Sequence, residues 1–258
     1  MPGRQSDGRG PERRSKLSPE VQGEIARLQR DMGLPREVAL RVARKEVTID
    51  QVLQEMATRD KAANLMRRHG LDRALATQVA KGQADLDRVL HRRRMSSHLA
   101  LNGERSCLVD AHQDGRAWRF ALHGGRVVTA RVAGVDRYEA RLSEPGFDAE
   151  ELVHKLQFKL AWRPEEDKLA RKGFRWDPEL RAAPRAPVTR PQDRFGCSNR
   201  RLFAWLEEET RVSLTTLEGE VVQGKVAWFG RFEIGVSVRG KTEVIVFRHA
   251  LARACEVR

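Results

Sequence analysis

The sequence has little of what redox chemistry, metal binding or a lipid bilayer demands. Its 258 residues include three cysteines, one tyrosine and an aromatic share of 6%. Cys107, Cys197 and Cys255 lie far apart and form no CxxC, which excludes a disulfide framework and a zinc-ligand spacing. They read as reduced, buried thiols. Seven histidines show neither HExxH nor paired Cys/His spacing, and there is no P-loop, no GxGxxG opening a helix and no GxSxG; each absence removes a class of catalytic or cofactor site. Glu150-Glu151 and Glu165-Glu166 read as solvated surface. No catalytic residue, metal or cofactor is expected, and the chain does not read as an enzyme. No stretch approaches the roughly 20 consecutive apolar residues of a membrane span. Met1 to Lys16 are polar and Arg-rich with no apolar h-region, so the expected compartment is the cytoplasm.

What the chain has is positive charge. Lys and Arg total 49 against 36 Asp and Glu, a net charge of +13, which favours a polyanionic partner: RNA, DNA or an anionic membrane surface. A membrane surface needs a basic helix with a broad apolar face, and the helices expected here use that face on one another.

Organisation follows from composition and period. Residues 1–18 combine Gly, Pro, Ser and five basic residues with almost nothing apolar, the signature of a disordered basic arm. From Pro19 apolar residues recur at helical spacing. Leu28 to Met56 align with Leu65 to Arg93 at a constant offset of 37, with eleven of 29 positions identical. Residues 19–96 therefore read as two three-helix repeats. In each, a first helix ends at Gly33 or Gly70, and Thr48 or Asp85 caps a third helix. After the HRRR run at His91 to Arg94, which suits a helix C-terminus or a nucleic-acid contact, the period shortens to that of strands. Trp118, Phe120 and Leu122 lead into a His123-Gly124-Gly125 turn. Between Pro164 and Pro191 lie five of the ten prolines, and 167–197 reads as a semi-extended basic linker. An amphipathic helix from Asn199 to Glu209 then precedes strands to the end.

The last 61 residues carry the most specific pattern. A short helix leads to a strand and the turn glycine Gly219, then Gln223-Gly224-Lys225-Val226, an aromatic-x-x-aromatic step from Phe229 to Phe232, and Val246-Phe247-Arg248-His249-Ala250-Leu251. In order and spacing this segment resembles the bacterial Hfq family of Sm-like RNA-binding proteins, with Phe247 and Arg248 where the family has Tyr and Lys. The middle segment resembles a second, degenerate copy: Gly125 to Leu142 align with Gly219 to Val236 at offset 94 with seven identities in 18.

The resemblance implies an α+β chain: N-terminal helical repeats (19–96) followed by two Sm-like domains (97–166 and 198–258). Each domain would be a bent five-stranded antiparallel β-barrel with an N-terminal helix, Met95 to Ala111 in the middle copy. It implies single-stranded RNA binding, U-rich RNA favoured, by an RNA chaperone or post-transcriptional regulator. The implied contacts are stacking on Phe232, phosphate or base-edge contacts from Arg231 and Arg248, and a hydrogen bond from His249. In the middle copy the corresponding residues are Arg137, Tyr138 and Lys155, with His154 the weakest. The blander reading makes Phe232 core and lets Arg248 snorkel. The family's A-rich face fits poorly, because Thr215 stands where an aromatic is usual and Glu220 adds a carboxylate. A homo-oligomer through edge strands, a protein partner for the helical repeats, and non-specific DNA binding are the further expectations.

Overall fold

The computed structural model describes residues 17–146, 149–188, 190, 197–240 and 242–257. The expected basic arm lies outside them except for Leu17 and Ser18, and Ser18 caps the first helix by accepting from the Val21 N–H at 3.4 Å. The chain divides into two units, one reaching Val89 and one from Leu90 to Arg258.

The first unit contains α1 (Pro19–Met32), α2 (Arg36–Ala43), α3 (Ile49–His69) and α4 (Arg73–Ala80), and takes in the start of α5 (Leu86–Asn102). The repeat is visible in what it buries. Ile25, Leu28, Leu34 and Ala39 are buried, and so are Ala62, Leu65, Leu71 and Ala76, each 37 residues on. Gly33 and Gly70 end α1 and α3 in the left-handed conformation, with φ of 63° and 59°, where a side chain would cost energy. Thr48 and Gln51 form a reciprocal capping box at the start of α3, and Asp85 accepts from the Arg88 N–H at 2.8 Å. One expectation changes: the third helix of the first repeat and the first of the second are a single 21-residue helix, α3. No glycine or proline occurs between Thr48 and Gly70, so nothing stops the helix where the repeats meet.

The second unit opens with the remainder of α5 and α6 (Cys107–Asp114), then β1 (Trp118–Leu122), β2 (Val127–Val135), β3 (Glu139–Ser143), β4 (Glu150–His154) and β5 (Phe158–Trp162). There follow α7 (Asp167–Lys172), β6 (Phe174–Trp176), α8 (Pro178–Ala182) and α9 (Asn199–Glu207). The last strands are β7 (Arg211–Thr216), β8 (Glu220–Phe229), β9 (Glu233–Val238), β10 (Thr242–Phe247) and β11 (Leu251–Glu256).

The two expected five-stranded barrels are not formed. The strands make one open antiparallel sheet of eleven, ordered β11-β7-β8-β9-β10-β5-β1-β2-β3-β4 with β6 on β8. The joint is β10 with β5, in the register Val244↔Trp162, Ile245↔Ala161 and Val246↔Leu160. All six residues are apolar and buried. Left apart, β5 and β10 would each present a row of unpaired backbone N–H and C=O groups at an apolar edge; paired with each other they leave none there, and the halves merge. Leu160, Trp162, Val244 and Val246 pack in one core with Trp205 and Phe229, whereas Ala161, Ile245 and Phe247 pack in the other with Phe120 and Phe158.

The internal duplication survives in irregularities that a chance likeness would not reproduce. A register shift falls between Val132 and Gly134 in β2, and again between Val226 and Trp228 in β8, 94 residues on. Lys159 and Ala252 are likewise skipped at matching points of β5 and β11. The helix that corresponds to α9 is α6, not one spanning Met95 to Ala111; α5 stops at Asn102, where Asn102-Gly103 interrupts it.

The expected linker is folded through much of its length. β6 pairs with β8, as Phe174↔Val222 and Arg175↔Val221. Asp177 caps α8 by accepting from the Leu180 N–H at 3.0 Å. Gly219 (φ 94°) sits under α8, where an added Cβ would lie 2.9 Å from the Arg181 nitrogen. Thr189 and residues 191–196 of that segment lie outside the described residues. Of the cysteines, Cys107 and Cys197 are buried as expected, while Cys255 is exposed.

Candidate nucleic-acid interface

Two hairpins at equivalent places in the duplication present the same pair of side chains. Between β2 and β3 stand Arg137 and Tyr138; between β8 and β9 stand Arg231 and Phe232. Each turn is closed the same way: the Asp136 N–H donates to the Glu139 carbonyl at 2.9 Å, and the Gly230 N–H to the Glu233 carbonyl at 2.9 Å. The carbonyl of each aromatic residue is held by the next turn of chain, from the Lys155 N–H at 2.7 Å and the Arg248 N–H at 2.8 Å. The backbone is thus fixed while the rings face solvent: Tyr138 is 58% exposed and Phe232 54%. The Arg137 guanidinium carbon lies 5.1 Å from the Tyr138 ring centroid, and that of Arg231 5.2 Å from the Phe232 centroid. Both distances lie within cation–π range. Phe232 is therefore no core residue.

The second hairpin is braced from the first half. The Arg231 N–H donates to the Gly103 carbonyl at 3.1 Å, and Gly230 approaches so closely that an added Cβ would lie 2.6 Å from the Asn102 carbonyl oxygen. Glu233, 2% exposed, accepts from the Cys107 N–H at 2.7 Å and the Ser106 hydroxyl at 2.9 Å, placing a carboxylate at the start of α6. Burial pushes the Glu233 carboxyl above its usual value, outweighing these bonds. An acid raised in the fold contributes most below its unfolded pKa and loses that contribution as pH climbs through the folded one. Glu233→Gln, which imitates the protonated acid, is therefore expected to gain stability relative to wild type on going from about pH 5 to about pH 8, read from urea unfolding at each pH. A constant difference across that range would contradict the assignment.

The other expected contacts turn inward. Arg248 is half-buried and donates to Asn199 Oδ1 at 2.9 Å, to the Gly230 carbonyl at 2.9 Å and to the Cys197 carbonyl. Its cation ties the entry of α9 to the Phe232 turn and is not presented as a phosphate fork. His249 Nε2 donates to the Phe158 carbonyl at 2.9 Å, linking the two halves beside the β5–β10 joint. Lys155, a half-buried residue, contributes its backbone N–H beneath Tyr138. His154 Nδ1 accepts from the Leu156 N–H at 3.1 Å. In the His91 to Arg94 run, His91 and Arg94 both bond Glu207, His91 at 2.9 Å, which gives that pair a structural role. Thr215 and Glu220, where the resemblance puts an A-rich face, are both buried.

Sequence reasoning missed a buried charge cluster. Lys159 is 0% exposed and donates to both Glu218 and Glu220. Glu220 also accepts from the Thr216 hydroxyl. Glu218 accepts from His123 Nδ1 at 3.0 Å and from the Gly124 N–H at 2.6 Å. Burial works to raise the Glu218 carboxyl, yet the bonds from Lys159, Gly124 and His123 together hold it below the usual range. Burial lowers His123, which favours the neutral ring.

No known protein family matches the chain, and no curated protein does either. Among the described residues there is no cluster of His, Cys, Asp or Glu that could hold a metal ion. No helix among them is long and apolar enough to cross a membrane.

Proposed function

We propose that the protein binds single-stranded RNA through its paired hairpins and catalyses no reaction. The observation that carries this reading is the outward Arg-aromatic pair, present twice at equivalent turns. Exposed rings stack on unpaired bases, which a duplex keeps stacked on one another, and the adjacent guanidinium meets phosphate or a base edge. A net charge of +13 adds counterion release to every contact. The resemblance of the C-terminal segment to the Hfq family supports RNA as the polyanion, U-rich sequence as the preferred one, and a cytoplasmic RNA chaperone or regulator as the role. Arg248 and His249 hold the fold of the site in this reading, and Arg231, Phe232, Arg137 and Tyr138 make the contacts.

The test is fluorescence anisotropy with U-rich, A-rich and mixed single-stranded RNA and with duplex DNA. U-rich RNA is expected to bind more tightly than duplex, and Phe232→Ala to weaken it by about 5-fold to 150-fold, the equivalent of one lost stacking contact. Equal binding of single strands and duplex, untouched by Phe232→Ala, would overturn the proposal. A second reading, self-assembly, is favoured by β4 and β11, which end the sheet among the described residues while their counterparts β10 and β5 pair within the chain. The mass of the free protein in solution decides it.

A further inference from the structure

A groove of about 460 Å³ opens on the second half of the sheet, lined by Lys172, Arg175, Arg211, Lys225 and Arg239 together with Gln223, Gly224, Ser237 and neighbouring backbone. It brings five cations from five parts of the chain to one place, and no carboxylate lines it. Lys172 ends α7, Arg175 lies in β6, Arg211 starts β7, Lys225 is in β8, and Arg239 stands at the turn after β9 with a positive φ of 53°. Glycine lets these elements close: an added Cβ at Gly173 would run into the Val238 side chain, and one at Gly224 into the Ser237 carbonyl.

The charges are available. Lys172, Arg175, Arg211 and Arg239 are exposed and have no ion pair among the described residues. Lys225 donates to Glu209 at 2.7 Å, a carboxylate that is 75% exposed and therefore displaceable by a stronger anion. In the first half Ala117 stands where Arg211 does, and among the described residues no strand pairs with β2 as β6 pairs with β8. No aromatic side chain lines the groove, so it offers charge and hydrogen bonds but no surface on which a base could stack. Contacts of that kind hold phosphate without reading sequence.

We infer that this groove holds the phosphodiester backbone of a single strand, independently of its bases. The inference rests on the proposed RNA ligand, to which the groove adds a base-blind contact beside the base-stacking hairpins. In the sequence these cations lie far apart: the pairing of β7, β8 and β9 gathers Arg211, Lys225 and Arg239, and the pairing of β6 with β8 adds Arg175 and Lys172 from the expected linker.

The experiment uses the full chain and an abasic phosphodiester oligomer, which has phosphates but nothing to stack, titrated at several salt concentrations beside U-rich RNA and inorganic polyphosphate. The variants are Arg175→Gln/Arg211→Gln/Arg239→Gln, the same three changed to Lys, and Tyr138→Ala/Phe232→Ala. Wild type is expected to bind the abasic strand. The Gln triple should flatten the slope of log K against log salt by about 2, the loss of three single-strand phosphate contacts, while the Lys triple and the aromatic pair leave that slope in place. Abasic binding that is absent in wild type, or unchanged in the Gln triple, overturns the groove. Loss of base preference in the aromatic pair bears on the hairpins alone. A polyphosphate affinity equal to that of the abasic strand, lost in the same triple, would keep the anion site and reassign its source to free polyphosphate.

Discussion

Lys159→Met is expected to remove about 3–5 kcal/mol of stability, the cost of leaving two carboxylates buried without their cation. A domain's whole margin is about 5–15 kcal/mol, so the variant should show a large fall in the urea midpoint at neutral pH. Lys159 occupies the bulge in β5, where Leu122 pairs with Phe158 and Ala121 with Leu160. A bulge turns one side chain out of the alternation of its strand, and here that side chain meets Glu218 and Glu220 of the other half. The damage comes from the orphaned acids and not from the missing amine, so Lys159→Met/Glu218→Gln/Glu220→Gln should recover most of the loss. The pH dependence has a definite sign. Glu218 is held below its usual value, so its contribution is complete above the unfolded pKa and disappears as pH falls through the folded one. The gap between wild type and Lys159→Met should narrow in acid, below the reference value of 4.5. A triple variant no better than the single one would show that packing, not charge, sets the loss.

How much of this was legible depends on the range of the interaction. The caps of α1 and α3 and the buried positions shared by the two repeats are local, and spacing places them; the Arg-aromatic steps came from the resemblance and not from spacing. The joint of β5 with β10 is a choice between distant edges. A run such as Leu160 to Trp162 declares itself apolar but does not name the strand that pairs with its second edge. For the same reason two closed barrels were as consistent with the pattern as the open sheet that forms. Arg248 shows another limit: an arginine that donates to three oxygens and one that faces solvent have the same letter and the same place at a strand end. The folded part of the linker did leave a sign. Asp177 followed by Pro178 is a helix start, set among proline and charge content that reads as a linker.

Tyr138→Ala and Phe232→Ala together are expected to cost about 2–6 kcal/mol of RNA binding, from tens-fold to about 10⁴-fold in Kd. Each ring is worth about 1–3 kcal/mol when a base stacks on it. Counted along the sheet, β9 and β3 are separated by β10, β5, β1 and β2, five spacings of about 4.8 Å each, and the two turns share no hydrogen-bond partner among the described residues. Independent contacts add, so the double variant should lose what the two single variants lose, measured by anisotropy at one salt concentration. That sum holds only if one strand engages both hairpins at once. If Tyr138→Ala is silent and the double variant behaves like Phe232→Ala, only the hairpin braced by Asn102, Gly103 and Ser106 binds, and the first half serves to support it. If each single variant halves the number of strands bound but keeps the affinity of the remaining site, and only the double variant loses binding, each hairpin binds a separate strand. The duplication then makes a two-site protein able to bring two RNAs together.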